Sequence, residues 1–327
     1  QYGLILEFSF HNRFLKKAAH IWGKRMARRM DRQHEIAYMD GLCMERTART
    51  YGCASRPDLV VPLAMQIHAF DRKQAEARYE RKAFHILTVA RMEFAFKGYV
   101  IGLIGIFEQL CRRYPGLHLD LVGDGSNHRQ LANRIRHLDP DIQKRVHWHG
   151  TVPYRDLDAY FEKAKLYIGM GTTVLDAANH GIISLPVGSY TYHCKGYGFL
   201  QEDAMNLGGI GGKTPMEGLI RQVLGFSEEE YCDCVKKQFD AMAPLYDIDA
   251  VMHRLLTWNN RGHASILGRW ERMAIRLGRW AYRKKEAVKA CSPRRCLESL
   301  KRHPRLFRLV HRAGITALRI PVLITGK

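Results

Sequence analysis

The sequence has no run of about 18 uncharged apolar residues, the least a membrane-spanning helix needs. It has no leader of the secretory kind, because the first 30 residues carry His11, Arg13, Lys16, Lys17, Lys24 and Arg25. No two cysteines stand in C-x-x-C spacing, so the eight present spell neither a zinc cluster nor a redox pair and suit free thiols in a reducing compartment. Cys232 and Cys234 are the one close pair, and on the helix expected there neighbours two apart point away from each other. No internal repeat is visible. There is no initiating methionine; the chain opens on Gln1, and we read it as a fragment. Acidic residues are scarce, 32 against 52 Lys and Arg, for a formal net charge of +20.

What is present is a chain of 327 residues with 46% hydrophobic and 26% charged content. That composition builds a packed core, in two domains or in one with a long appendage. The positive charge is concentrated in the last fifth. From Arg261 to Lys327 there are 18 Lys and Arg against 3 Asp and Glu, an excess of 15. We expect an N-terminal α/β portion over 1–80, a nucleotide-binding α/β domain over 81–260 and a basic helical tail over 261–327.

The N-terminal portion reads as a strand over Gly3–Phe10, a basic helix from Arg13 to Asp31, a short strand at His34–Asp40, a helix over Gly41–Tyr51 and a strand from Asp58 to Leu63. From His85 onward the rhythm is regular. Strands are expected at His85–Ala90, Leu117–Val122, Arg145–His149, Lys165–Ile168 and Ile182–Val187. Helices are expected between them at Gly98–Arg113, Asn127–Leu138, Tyr154–Lys163 and Thr172–His180. In the first, Ile101, Ile104, Phe107, Leu110 and Cys111 share a face. Such alternation indicates a parallel sheet covered on both faces, with ligands over the loops at the C-terminal strand ends. After Gly188 a glycine-rich loop, Gly208–Gly212, leads to helices near Pro215–Leu224, Ser227–Met242 and Asp247–Trp258.

Those loops carry the chemistry of diphosphate binding. Helix N-termini offer unpaired N–H groups and partial positive charge, and glycine lets a ligand approach the backbone. Val122–Ser126 (VGDGS) and Ile168–Thr173 (IGMGTT) both run from a strand into a helix, with Thr172 as N-cap. Arg91 ends the first strand and Lys97-Gly98 begins the next helix, placing two cations at the same rim.

The series Val89-Ala90-Arg91, Lys97-Gly98, Val122–Gly125, Val146–Gly150 and Gly169–Ala177 resembles the donor domain of the family-four retaining glycosyltransferases, over about Asp58 to Trp258. The resemblance implies a GT-B fold, two Rossmann-like domains facing across a cleft, with a UDP- or GDP-sugar held by the second. It assigns Arg91 and Lys97 to the diphosphate and to the charge that develops there as the sugar leaves. It places Gly123, Asp124 and Gly125 in the loop beside the donor, Gly150 at the base or ribose, Gly169 in the phosphate loop, the N–H groups of Gly171 and Thr172 at the distal phosphate, and Asp176 at the ribose hydroxyls. The first Glu of the family's Glu-x7-Glu element falls on Ile168, and Asp176, one methylene shorter, stands for the second. The family's N-terminal glycine-rich loop has no counterpart. His11, after a strand, matches the family histidine near the reacting sugar, against the plainer reading of a structural histidine.

The resemblance implies transfer of a hexose to a polysaccharide, lipopolysaccharide or glycolipid acceptor with retention, without a metal or other cofactor. The alternative is a nucleotide-binding chain that does not catalyse. Two Asp-x-Asp pairs, Asp156/Asp158 and Asp247/Asp249, read as helix caps rather than a metal signature. His147 and His149 share a strand face without an acidic or cysteine companion, which argues against a metal site. In the tail, Arg269, Arg272, Arg276, Arg279 and Arg283 flank an apolar stripe of Ile266, Trp270, Met273, Leu277 and Trp280. A second basic segment spans Lys301–Arg312. This pattern fits a helix lying on an anionic membrane surface, which places the protein peripherally on the cytoplasmic face of the cell membrane. Packing on the protein itself is the plainer reading. Nucleic-acid binding has the charge but no accompanying motif.

Overall fold

The structure is a computed structural model that describes residues 13–54 and 60–257, with Met273 and Arg276, both helical, in addition. For residues 13–19 and Leu42 it describes the backbone alone. The expected strand Gly3–Phe10, His11 and the rest of the tail lie outside the described residues. The chain divides into two compact units, residues 1–261 and 262–327. The elements named below belong to the first.

The N-terminal portion opens with α1 (Arg13–Arg32) and α2 (Gly41–Tyr51). Helix α1 buries Met26, Ala27 and Met30 and exposes Arg25, Arg28 and Arg32, as its sequence spacing dictates. Asp40 caps α2 by accepting the Cys43 N–H at 2.6 Å, and Gly52 ends it in the left-handed conformation (φ +66°). Arg28 Nε donates to the Tyr51 carbonyl at 2.9 Å and ties the two helices together. Of the strands expected at His34–Asp40 and Asp58–Leu63, the described residues show isolated bridging, Tyr38 in parallel with Val60; Asp58 and Leu59 lie outside the described residues. Pro62 has no N–H to extend the ladder.

Helix α3 (Arg72–Tyr79) precedes the sheet. The strands are β1 (Phe84–Val89), β2 (Leu117–Val122), β3 (Val146–Gly150), β4 (Ala164–Gly169) and β5 (Ile183–Pro186). They form one parallel sheet in the order β3-β2-β1-β4-β5. The intervening helices are α4 (Tyr99–Cys111), α5 (His128–Arg136), α6 (Pro140–Gln143), α7 (Asp158–Lys163) and α8 (Thr172–Asn179). The single helix expected over Tyr154–Lys163 is broken: a 3-10 turn at Tyr154–Asp156 follows Pro153, and α7 starts after Leu157. A two-residue antiparallel pair, β6 (Lys195–Gly196) with β7 (Thr214–Pro215), precedes α9 (Met216–Leu224), α10 (Glu228–Tyr246) and α11 (Ile248–Leu256).

One core spans the sheet and its helices. Ile86, Leu87, Leu119, Leu121, Leu166, Ile168 and Leu185 of the strands are fully enclosed, with Leu103, Ile104 and Phe107 of α4 over them. Strands β4 and β5, buried along their whole length, carry near-continuous apolar runs, whereas β3 is fully buried only at Val146. The strand order reverses between β1 and β4. Ligands in such sheets bind outside the carboxyl ends of strands at that reversal.

Candidate functional site

A cleft of about 890 Å³ opens at the reversal point. Its floor is the C-terminal end of β1 (Val89, Ala90, Arg91) and of β2 (Val122, Gly123, Asp124). One wall is the start of α8, Met170 to Thr173, with Thr151 and Val152 after β3 beside it. Lys97 and Phe96 form a second wall. The N-terminal portion contributes Met39, Asp40, Gly41 and Glu45 at the start of α2, and the segment from Asp203 to Ile210 closes the remaining side.

Arg91, Lys97, Gly123, Asp124, Gly171 and Thr172 therefore come together, as the sequence predicts. Gly125, Gly150, Gly169 and Asp176 stand behind the lining. Lys97 is half-buried, and burial first, then the neighbouring Arg91, pulls its ammonium down to about 8. Its Nζ sits 4.9 Å above the Phe96 ring. Among the described residues no carboxylate pairs with it. Arg91 is exposed and makes a loose contact with Glu93 at 3.4 Å. The two cations repel each other at the end of the strand, and the Glu93 carboxylate offsets that only in part.

The glycines do a different job from the one expected. A Cβ on Gly123 would run into the Ala90 carbonyl, and one on Gly125 would lie 2.7 Å from the Met92 carbonyl. Gly123 also takes φ +117°. These positions let the loop after β2 lie against the loop after β1, where Met92 N–H donates to Asp124 O at 3.1 Å and Asn127 N–H to Met92 O at 3.0 Å. Trp148 Nε1 donates to the Gly123 carbonyl at 2.9 Å and holds the same loop from β3. Glycine here keeps Arg91 in place. Of the five glycines expected at the site, Gly150 and Gly171, both at positive φ, face open space where a Cβ would go.

The start of α8 corrects two expectations. The cap is Gly171 (φ +79°), and Thr172 is the first helical residue. The Gly171 N–H is already used, donating to the Leu207 carbonyl at 2.6 Å, so it does not point at a phosphate. The N–H groups of Thr172 and Thr173 have no backbone partner among the described residues, as expected of a first helical turn. Thr173 Oγ1 accepts from the buried Tyr167 hydroxyl at 2.6 Å, which fixes the helix start on β4.

Ile168 is fully buried, one residue before the end of β4. Counting residues placed it opposite a family Glu, but in space no side chain at 168 reaches the cleft. The strand runs into α8 through Met170 and Gly171 alone. Asp176 is half-buried one turn into α8, and burial raises its carboxyl pKa above the usual range. The Tyr154 hydroxyl is its contact, at 3.5 Å.

Other expected features settle as follows. Asp247 caps α11 by accepting the Asp249 N–H at 3.0 Å. Asp158 does not cap; it pairs with His180 at 3.2 Å. His147 and His149 do have an acidic neighbour, in the next strand. Asp120 on β2 takes His85 Nδ1 at 2.6 Å on one oxygen and His149 Nε2 at 2.7 Å on the other. His118 Nδ1 lies 3.2 Å from His147 Nε2 beside them. Burial works against the Asp120 carboxylate, yet these histidine contacts hold its pKa below the ordinary range. The strand pairing that creates this row was invisible in the sequence. Among the described residues no group of His, Cys, Asp or Glu is placed to hold a metal. Cys43, Cys53, Cys111, Cys194, Cys232 and Cys234 are free, and burial pushes the Cys111 thiol up to about 11.

The cleft-lining segment 203–210 was missed. Its one sequence signal was the glycine run at Gly208, which read as a connector. Gly208 (φ +88°) has the Val187 carbonyl 2.6 Å and the Met170 Cβ 2.8 Å from where its own Cβ would be. That close approach brings the segment onto the start of α8.

Residues 70–184 match the family model described as glycosyl transferases group 1. Among solved structures, the chain is similar to a variant of S. aureus TarM in complex with fondaparinux, α-GlcNAc-glycerol and UDP. That match has a TM-score of 0.52 and 13% identity over 71% of this chain and 45% of that one. It is also similar to a UDP-forming α,α-trehalose-phosphate synthase from Burkholderia xenovorans, with a TM-score of 0.50 and 13% identity over 69% and 61%. No curated protein matches the chain. The fold is thus the α/β GT-B type, and the chain spans about half the length of the first of these structures.

Proposed function

We propose that this chain carries the donor-binding half of a glycosyltransferase that moves a hexose from a nucleoside-diphosphate sugar to a polysaccharide, lipopolysaccharide or glycolipid acceptor. The observation that carries the reading is Lys97, a half-buried cation with no ion pair among the described residues, beside Arg91 and lining the same cleft as the first turn of α8. That is a receptor for a diphosphate. The group 1 glycosyltransferase match over 70–184 supports the same class of donor. We assign the diphosphate to Arg91, Lys97 and the N–H groups of Thr172 and Thr173. The base and ribose fall to the Gly150–Val152 segment and Asp176, whose carboxylate exchanges Tyr154 for the ribose hydroxyls.

In this reading transfer proceeds with retention. The acceptor oxygen bonds to the anomeric carbon on the face the diphosphate leaves, the carbon–phosphate-oxygen bond breaks with its electron pair, and the acceptor proton passes to that phosphate oxygen. Arg91 and Lys97 neutralise the charge that grows there, the work a divalent cation does elsewhere. His11 and the basic tail belong to the same proposal, the first near the reacting sugar and the second on an anionic membrane at the cytoplasmic face.

Calorimetric titration with UDP-, GDP- and ADP-sugars tests the reading: one of the three series binds, and Lys97→Ala weakens it. Failure of all three to bind would refute it. The buried Ile168 favours a second reading, a nucleotide-binding partner that does not catalyse. Tight binding of a donor, with no release of its nucleotide in the presence of acceptor, would decide for the second.

A further inference from the structure

Two loops beside the cleft bring four aromatic rings into two facing pairs. Phe94 and Phe96 come from the segment between β1 and α4, and Tyr190 and Tyr192 from the segment after β5. Phe96 and Tyr190 have ring centroids 5.0 Å apart, and Phe94 and Tyr192 meet edge to face at 6.3 Å. Tyr190 is 62% and Tyr192 43% exposed. The mechanism proposed above uses none of the four.

The arrangement is held from the backbone. The Tyr190 N–H donates to the Phe96 carbonyl at 3.0 Å, and the Phe94 N–H to Asn127 Oδ1 at 2.8 Å. Tyr190 has φ +56°, a conformation that bulky L-residues rarely take. Gly98 makes room beneath: a Cβ there would lie 2.8 Å from the Thr191 carbonyl. So the chain holds Tyr190 in a strained backbone state while leaving its ring in water. Strain of this kind persists where surrounding contacts fix it, and it clusters at ligand clamps.

We propose that Phe94, Phe96, Tyr190 and Tyr192 form a binding platform for the pyranose rings of a neutral oligosaccharide. A pyranose offers a face of C–H groups, which stacks on an aromatic ring, and an edge of hydroxyls, which needs polar neighbours. Tyrosine supplies both, an apolar ring and a hydroxyl at its tip. Thr191 and His193 stand between and beside the two rings; the His193 N–H donates to Thr191 Oγ1 at 3.0 Å. The platform is continuous with the cleft, because Phe96 lines it next to Lys97. A sugar chain lying on the rings therefore has its end at the phosphate-binding cations. Four rings are few against the 20 to 30 residues per side of a standard protein interface, which disfavours a protein partner. That the oligosaccharide is the acceptor of a transfer rests on the function proposed above; the binding itself does not.

The full 327-residue chain, titrated calorimetrically with maltopentaose, cellopentaose, mannopentaose and chitopentaose, tests the platform. At least one of these binds. Tyr190→Ala and Tyr192→Ala each weaken that binding about tenfold, the order expected for a lost ring contact, whereas Tyr192→Phe retains most of it. No binding by any pentasaccharide, or equal binding by wild type and both alanine variants, overturns the proposal. So does loss of self-association or of phosphatidylglycerol-vesicle binding in the alanine variants while pentasaccharide binding is unchanged, since the rings would then serve a second copy or a lipid surface. Wild-type titration with UDP-, GDP- and ADP-sugars reports on the donor site separately: their failure with pentasaccharide binding intact would sink the transferase reading and spare the platform.

Discussion

Lys97 gives the cleft a pH dependence whose sign is fixed by its surroundings. Burial and Arg91 hold the free ammonium near 8, so it is charged at pH 7 and loses its proton as pH rises through that value. Diphosphate affinity should be full near pH 7 and fall between pH 8 and 9, with the fall moved to higher pH once the anion is bound. Lys97→Arg should flatten this profile, and Lys97→Ala should weaken UDP or GDP binding by about 1.5–3 kcal/mol, the worth of a charge-assisted hydrogen bond; calorimetry at stepped pH checks both. Gly123 makes the second prediction at this scale. With φ +117° and the Ala90 carbonyl in the way of a Cβ, Gly123→Ala must shift the loop that positions Arg91. We expect a loss of about 2–4 kcal/mol in urea unfolding, the range of a substitution that combines backbone strain with overpacking. The same residues show what spacing leaves undecided. The glycines of VGDG announced themselves, but their purpose did not: the contact that needs them comes from Ala90 and Met92, more than thirty positions away. Ile168 is the reverse case, where counting along the chain named an equivalence that burial in β4 removes.

At the level of elements, the least legible helix proves among the most tightly used. Helix α3 has no apolar stripe, and its sequence, RKQAEARY, gave no periodic signal. Asp71 caps it, and its second turn delivers Arg78 into the interior. The guanidinium donates to the carbonyls of Phe161 (2.7 Å), Glu162 (2.8 Å), Ala164 (2.6 Å) and His180 (2.8 Å), joining the ends of α7 and α8 to the start of β4. Arg78→Ala removes four charge-assisted contacts at once, although Phe161 O keeps the Ala164 N–H and Glu162 O keeps Arg81, and it should cost about 3 kcal/mol in the same unfolding assay. Strands β4 and β5 were legible because burial on both faces writes a near-continuous apolar run, and β1 to β3 because apolar and β-branched residues recur along them. The histidine row was not, since it is made by register: Asp120 faces His147 across β2 and β3, and His85 faces His118 across β1 and β2. Burial lowers the pKa of His118 and of His147, with neighbouring histidines adding to it, Arg145 acting on the first and Lys163 on the second. A histidine with a lowered pKa binds fewer protons folded than unfolded, so stability falls as pH drops below about 6.5, the unfolded value. We expect the melting temperature to decline from pH 7 to pH 5, and His147→Gln to make that decline shallower.

At the scale of the molecule, charge separates what the sheet does from what the tail does. The excess of 15 positive charges from Arg261 onward exceeds what a cleft lined by Arg91 and Lys97 uses. A chain ending at Asn260 should lose binding to phosphatidylglycerol vesicles in a sedimentation assay while keeping its nucleotide affinity; vesicle binding that survives the truncation removes the membrane proposal. The layout of the whole sheet, parallel and reversing at one point, followed from the alternation of strands and helices. The closing of the cleft by residues 203–210 and by the start of α2 did not, because both arrive through long-range contacts: Gly171 with Leu207, and Met65 with Tyr246. The strand order β3-β2-β1-β4-β5 also has a consequence in time. A chain is synthesised from its N-terminus, and β1 takes its second neighbour only when Leu166 arrives to pair with Ile86. Ser184 waits for Gln238, and Met65 for the end of α10. Non-local pairings of this kind are slow to close and expose apolar edges meanwhile. The strand at the centre of the finished sheet is thus half-covered while the ribosome makes the residues between Val89 and Leu166.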